Sequence, residues 1–409
     1  MIRDLIRHLA TLLVAASVPA SLAAQDGAPD PADWDAVTRA AEGQTVYWHA
    51  WGGSNATNDY IAWVADRMAE RHGIAVEHVK LKDTADAVSR VIAEKSAGKD
   101  SGGAVDLVWI NGENFAAMKE RDLLFGPWAE ELPNWQYVDV EGKPAVTSDF
   151  TVPTDGLEAP WGMAQLVFYH DTARLQEPPR SISEIGDWAS DNPGRFAYPQ
   201  PPDFLGSTFL KQALIELAPD SSVLQRPVQE ADYEKVTAPL WAYLEDLTPN
   251  LWRSGAAYPQ SGPRLIQLMA DSEIDLALSF DPNEPANAIA NFELPPSVRT
   301  YVLDGGTIGN ASFVAIPYNA NAKEGALVLS NFLLSPEAQA KKQDPAIWGN
   351  GTVLAMDKLT AADRALFDAI ELGEATLAPA ELGKTLPEPH PSWMVSLEDD
   401  WIARFGTGQ

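Results

Sequence analysis

Between residues 45 and 119 the apolar pattern switches repeatedly between two periods, and few folds accept that rhythm. "TVYWHAW" (45–51) alternates in steps of two and is rich in β-forming residues, as a half-buried strand requires. In "SNATNDYIAWVADRMAERHG" (54–73), Ile61, Val64, Ala65 and Met68 recur at i, i+3, i+4 and i+7, the stripe of an amphipathic helix. Ser54, Asn55 or Thr57 can cap its start, and Gly73 ends it. "IAVEHVKL" (74–81) predicts a second strand. Asp83 or Thr84 then opens a helix with Val88, Val91 and Ile92 on one face. "AVDLVWI" (104–110) is a third, apolar strand that turns into the helix of "NGENFAAMKERDLL" (111–124). Strand and helix in strict alternation make a parallel α/β unit with right-handed crossovers.

A second α/β unit is expected from about 165 to 304, including "IDLALSFDPNEPANAI" and "RTYVL". "DGGTIGNASFVAIPYNANAKEGALVLSNFLLSPEAQAKK" then returns to strand and helix, and the remainder reads as helical with polar loops. No fixed-period repeat or low-complexity tract is visible.

The first residues are expected to lie outside this fold. "MIRDLIRHLATLLVAASVPASLAAQD" has Arg3 and Arg7, an apolar run from Leu9 to Val18 and a small-residue end, which makes 1–24 a cleaved signal peptide. The run is too short to cross a bilayer, which needs roughly 20 apolar residues. The chain has no cysteine, so disulfides, thiolate metal sites, a cysteine nucleophile and a lipid-modified cysteine are all excluded. An exported protein of this size needs no disulfide, and a periplasmic location without a lipid anchor is expected. A formal net charge of −29 repels nucleic acid, which is ruled out as a partner.

Three stretches carry a family likeness: the strand–turn–helix start, "EAPWGMAQLVFYHDTARLQEPPRSISEI", and "GNASFVAIPYNANAKEGALVLSNFLLSPEAQAKK". Together they resemble the extracellular solute-binding proteins of bacterial ABC importers, within the type II periplasmic-binding-protein superfamily. The "WGGS…DTADAV…LVWINGENF" set is most similar to the group labelled YnjB. The resemblance spans essentially the whole mature chain and implies an α/β fold of two lobes, each a mostly parallel sheet flanked by helices. Lobe one would comprise 44–163 and 306–409 after a lead-in at 25–43, and lobe two 164–305. Two extended segments, near "WGMAQLVFY" and "VLDGGTIGN", would serve as hinges, with Gly305 and Gly306 free to absorb a bend. Implied too are a small-molecule solute, an ABC permease with its ATPase, and a monomeric binding protein that is not an enzyme and needs no cofactor.

In open α/β sheets, ligands sit beyond the carboxyl ends of the strands. That rule selects Trp51, Gly53, Ser54 and Asn55, then Thr84, then Asn111 and Glu113 in the first unit. In the second it selects Asp203 and Ser207, and Asp281 and Asn283, while Trp161 and Gln165 would line the gap from a hinge strand. Each has a competing structural role. Alternation makes Trp48 core, and Trp109 is read as core as well. Asn111 and Glu113 fit a helix start as well as a ligand, and Asp203 and Ser207 suit helix capping. Trp252, Tyr258 and Trp348 are aromatic candidates for which core packing is an equal alternative.

Catalytic and metal motifs are missing: there is no GxSxG, HExxH, P-loop or Rossmann glycine run, and His49, His72, His78, His170 and His390 are scattered. No adjacent tyrosine pair of the ferric-binding type occurs. No catalytic or metal residue is therefore assigned. The expected ligand is an organic cation, such as a thiamine-like compound or a polyamine, or else a sugar. An exported hydrolase such as a glycosidase, with paired carboxylates, is the alternative class.

Overall fold

The computed structural model describes residues 29–377 and 381–406, so the signal-peptide reading and the first residues of the lead-in lie outside the described residues. Eleven strands follow in chain order: β1 Thr45–Trp51, β2 Ala75–Leu81, β3 Leu107–Ile110, β4 Ser148–Asp149, β5 Val152–Pro153, β6 Glu158–Gln165, β7 Val167–Asp171, β8 Leu276–Ser279, β9 Val298–Tyr301, β10 Thr307–Ala315 and β11 Thr385–Leu386. The larger sheet has the order β11-β10-β3-β1-β2, with β6 also paired to β10; β4 and β5 form a separate hairpin. β1 runs parallel to both β2 and β3, as the alternating sequence requires, while β10 is antiparallel to β3 and to β6.

Local chemistry explains the first unit. In β1, Val46, Trp48 and Ala50 are fully buried, while Tyr47 between them is 45% exposed. The helix Asn55–His72 buries Ile61, Val64 and Met68. It stops at Gly73, whose φ of 64° is left-handed and whose N–H returns to the Ala69 carbonyl, while the Ile74 N–H returns to that of Met68.

The second sheet, β8-β7-β9, departs from the mostly parallel expectation: β7 is antiparallel to both neighbours. The cause lies in chain direction. β7 continues from β6 across the single residue Leu166, so it enters from the hinge. β8 and β9 then run the opposite way on either side, and β9 leads back into β10.

Apolar packing divides into two cores. One gathers residues from Val37 to Trp161 and from Ala311 to Phe367; the other gathers Leu166 to Leu303. The C-terminal helix Pro391–Phe405 corrects the assignment of 306–409 to the first body, because its Trp393, Leu397 and Trp401 belong to the second core. Trp401 donates its indole N–H to Tyr198 Oη at 3.0 Å, and Trp393 donates to the Arg226 carbonyl at 2.9 Å. The chain therefore crosses between bodies at β6–β7, at β9–β10 and again after β11.

Candidate functional site

A cavity of about 270 Å³ opens where the two bodies face each other across the hinge strands. The first body supplies Trp51, Asp83, Thr84, Trp109, Asn111 and Glu113, all from segments beyond the ends of β1, β2 and β3 or within their last two residues. The second supplies Asp203, Phe204, Phe280, Asp281 and Glu284, and the floor includes Ala164, Asn310 and Ser312 of the crossing strands.

The glycines after β1 have steric causes. A Cβ on Gly52 would lie 2.7 Å from Lys80 Cβ, and one on Gly53 would lie 2.3 Å from the Trp51 ring. Gly53 therefore lets the Trp51 ring fold over the turn and form part of the wall. The helix that follows begins at Ser54, on the cavity wall, without a side-chain cap on its first N–H groups. Asn111 likewise starts its helix without capping it, so its amide is not consumed locally. The N–H of Gly112 is instead taken by Asp149 Oδ2 at 2.7 Å.

The wall is acidic and aromatic. Asp83, Glu113, Asp203, Asp281 and Glu284 line it, together with the rings of Trp51, Trp109, Phe204, Phe280 and Trp348; among the described residues Lys82 is its one cation. Burial pushes Glu113 up to about 7, with Asp83 and Glu388 adding to the effect. Burial also raises Asp203 to about 6 and Asp281 to about 7. Glu398, behind the wall and bonded by Ser207 Oγ at 2.5 Å, is raised to about 7 by burial and by the nearby Glu113 and Asp83 charges.

The structure sorts the sequence-derived candidates. Trp51, Ser54, Asn111, Glu113, Asp203 and Asp281 stand on the cavity wall, as does Thr84. Gly53 and Asn55 line an adjoining outer groove of about 520 Å³, which shares Ser54, Glu284 and Asn287 with the cavity. Four candidates are corrected. Trp161 is 1% exposed, packed edge-on against Trp109 at 4.9 Å and against Trp348 at 5.4 Å, so it buttresses the wall from behind. Gln165 is used up in the hinge, donating to Thr307 Oγ1 at 3.0 Å and the Leu382 carbonyl at 2.8 Å. Ser207 is 1% exposed and engaged with Glu398. Asn283 donates to the Gly349 carbonyl, tying the bodies together beside Asn287, which donates to the Pro345 carbonyl at 2.8 Å.

Trp109, expected in the core, is half-buried on the wall. Its place near the end of β3 matches that of Trp51 at the end of β1, so the strand-end rule would have found it. Trp348 joins the wall beside it, its ring 5.8 Å from that of Trp109; Trp252 and Tyr258 are elsewhere, the first donating to Glu273 at 2.7 Å and the second packing on Trp401 at 4.9 Å. Met394 also reaches the wall, from the C-terminal helix.

A buttressing role for Trp161 has a measurable consequence. Its indole N–H has no partner, so Trp161→Phe removes volume without stranding a hydrogen bond. The variant is expected to lose about 1–2 kcal/mol of stability in urea titrations while its solute affinity changes less than about threefold.

Residues 63–355 match the family described as bacterial extracellular solute-binding protein. The chain is 44% identical to protein YnjB of Escherichia coli (strain K12) over 375 residues, covering 92% of this chain and 94% of that protein. Among solved structures, the periplasmic binding protein AfuA of Actinobacillus pleuropneumoniae aligns with a TM-score of 0.63 at 15% identity, over 89% of this chain and 99% of that one. The spermidine/putrescine substrate-binding protein PotD of Streptococcus pneumoniae aligns at 0.57 and 16% identity, over 88% and 98% of the two chains. A periplasmic thiamin binding protein aligns at 0.60 and 17% identity, over 89% and 96%. At these identities the structural likeness is one of fold.

Proposed function

The chain belongs to the bacterial extracellular solute-binding proteins, the solute-capturing components of ABC transporters, and on that premise we propose that it captures a small organic cation between its two bodies. The observation that carries this reading is the wall itself: five carboxylates and five aromatic rings, against Lys82 as the one cation lining it among the described residues. Carboxylates in a partly dehydrated crevice attract a positive charge, and ring faces stack on flat or alkylated cations. The same wall is poorly suited to the fructose-6-phosphate bound by AfuA, since a phosphate would meet that acidity with little to offset it. Among the neighbours, those named for thiamin and for spermidine/putrescine bind the kind of solute this wall favours. A neutral sugar uses the rings but not the excess charge.

The working cycle is an opening and closing of the two bodies about their crossings. Contacts from both walls form together only when the crevice is shut, so the solute shifts the balance by its differential affinity. The closed protein then docks on the permease, whose ATPase drives release. We take 44–163 with 306–386 as one moving body, and 164–305 with the C-terminal helix as the other. Export to the periplasm through cleavage of 1–24, no lipid anchor and a monomeric state complete the proposal. The family consists of binding proteins, which leaves the hydrolase alternative without support.

Mass spectrometry of compounds released from the purified protein identifies the solute directly. In a thermal-shift panel, an amine or quaternary cation at 100-fold its dissociation constant is expected to add about 2.7 kcal/mol of stability. Neutral sugars are expected to add none. Stabilisation by sugars alone would refute the cation reading.

A further inference from the structure

The acidity of the cavity wall is not uniform from end to end. At one end Glu113 and Asp83 of the first body face Asp203 and Glu398 of the second, each within the field of at least one of the others. Lys211, whose charge acts on Glu113 and Glu398, is already engaged by Glu388 at 2.7 Å, with the two side chains 0% and 3% exposed. One oxygen of Glu113 accepts from Asn114 Nδ2 at 3.0 Å, and the other is buried and accepts nothing. Among the described residues no Lys or Arg forms an ion pair with Glu113, Asp83, Asp203 or Glu398, although Lys82 lines the same cavity.

At the other end the protein has supplied its own. Lys342 is fully buried beside Trp348 and donates to Asn350 Oδ1 at 2.7 Å, the Gly351 carbonyl at 2.8 Å and the Asn350 carbonyl at 3.2 Å. Burial pulls its pKa down, but three acceptor oxygens call for three N–H donors, which only the ammonium has. All three acceptors are neutral, so its charge acts on Asp281, which also receives the Trp348 indole N–H. Glu284 lines this end too, while the Ser279 hydroxyl donates to the Asp281 carbonyl at 3.1 Å and accepts the Asp281 N–H at 3.0 Å.

We infer that the solute lies in one direction, its positive charge at the Glu113 end and an uncharged hydrogen-bonding group at the Asp281 end, so that compounds with a single cationic head are selected over diamines. The inference rests on the cation reading given above and narrows it.

A matched pair of probes tests it. Aminopentanol and cadaverine share a five-carbon chain and differ in one end, hydroxyl against ammonium. Calorimetric titration at neutral pH is expected to show aminopentanol bound at least about tenfold more tightly. Glu113→Gln is expected to weaken aminopentanol about tenfold or more, and Asp281→Asn less than about threefold, with thermal midpoints of both variants confirming that they fold. Cadaverine bound equally or better, equal losses in the two variants, or no binding of either probe at millimolar concentration would overturn the assigned direction. A cadaverine preference would do so while leaving the cation reading intact. Binding of a neutral sugar with neither amine bound would remove both.

Discussion

Lys211→Met is expected to cost about 3–5 kcal/mol of stability, the range for removing one partner of a buried ion pair. The pair with Glu388 is closed to water on both sides. Lys211 Nζ also lies 4.3 Å from the centre of the Phe150 ring and 5.2 Å from that of Phe204. With the ammonium gone, Glu388 keeps Asn310 Nδ2, at 2.9 Å, against its other oxygen. Its carboxyl, which burial already raises, must then take up a proton or remain an uncompensated charge. Adding Glu388→Gln removes that charge, so the double variant is expected to recover much of the loss. Urea unfolding of the two single variants and the double variant measures the coupling. Strictly additive losses would show that the pair does not act as one unit.

The second large effect is a dependence on pH. Glu113, Asp281 and Glu398 are each raised to about 7 and Asp203 to about 6, in every case by burial first. A cation at the Glu113 end favours the ionised forms of Glu113 and Asp203, so binding expels protons there, and affinity is expected to fall by roughly tenfold or more from pH 8 to pH 5. The groups facing them set the balance: Asp83 pushes Glu113, Asp203 and Glu398 up, Glu388 adds to Glu113 and Glu113 to Glu398, and Glu284 pushes Asp281 up, while Lys211 pulls Glu113 and Glu398 down and Lys342 pulls Asp281 down. Stability of the empty protein should move the other way. These carboxyls have folded pKa values above their unfolded ones, so the folded state holds extra protons between about 4 and 7. Their contribution is full below the unfolded values and fades as pH rises through 6 to 7. Calorimetric affinities across this range, alongside melting of the empty protein, check both signs. Affinity that stays level with pH would mean that the solute carries no charge to these carboxylates.

Much of the first body was legible because its strands and helices announce themselves by period, and period also locates strand ends. Asn111, Glu113, Asp203 and Asp281 were found by that geometry rather than by their chemistry. The limits appear where burial is decided by distant chain. Trp161 and Trp348 are both tryptophans near glycine; one faces Trp48 at 5.3 Å inside the core and the other reaches the crevice, and neither local pattern foretells which. Ser207 and Asn283 satisfy the strand-end rule but are occupied by Glu398 and Gly349, residues remote in sequence. The C-terminal helix was placed on the wrong body for a related reason. An amphipathic helix advertises a face to bury, but not the partner that buries it.

That helix has a practical consequence. The chain's first described helix, Trp34–Ala41, packs Val37 and Ala41 into one core, while its last, Pro391–Phe405, packs Trp393 and Trp401 into the other. The first and last described helices are thus anchored in different cores, and move apart or together in the proposed closure. Fluorophores attached near Trp34 and Phe405 would turn each capture event into a change of end-to-end separation, giving a reporter of solute uptake that needs no engineering of the crevice.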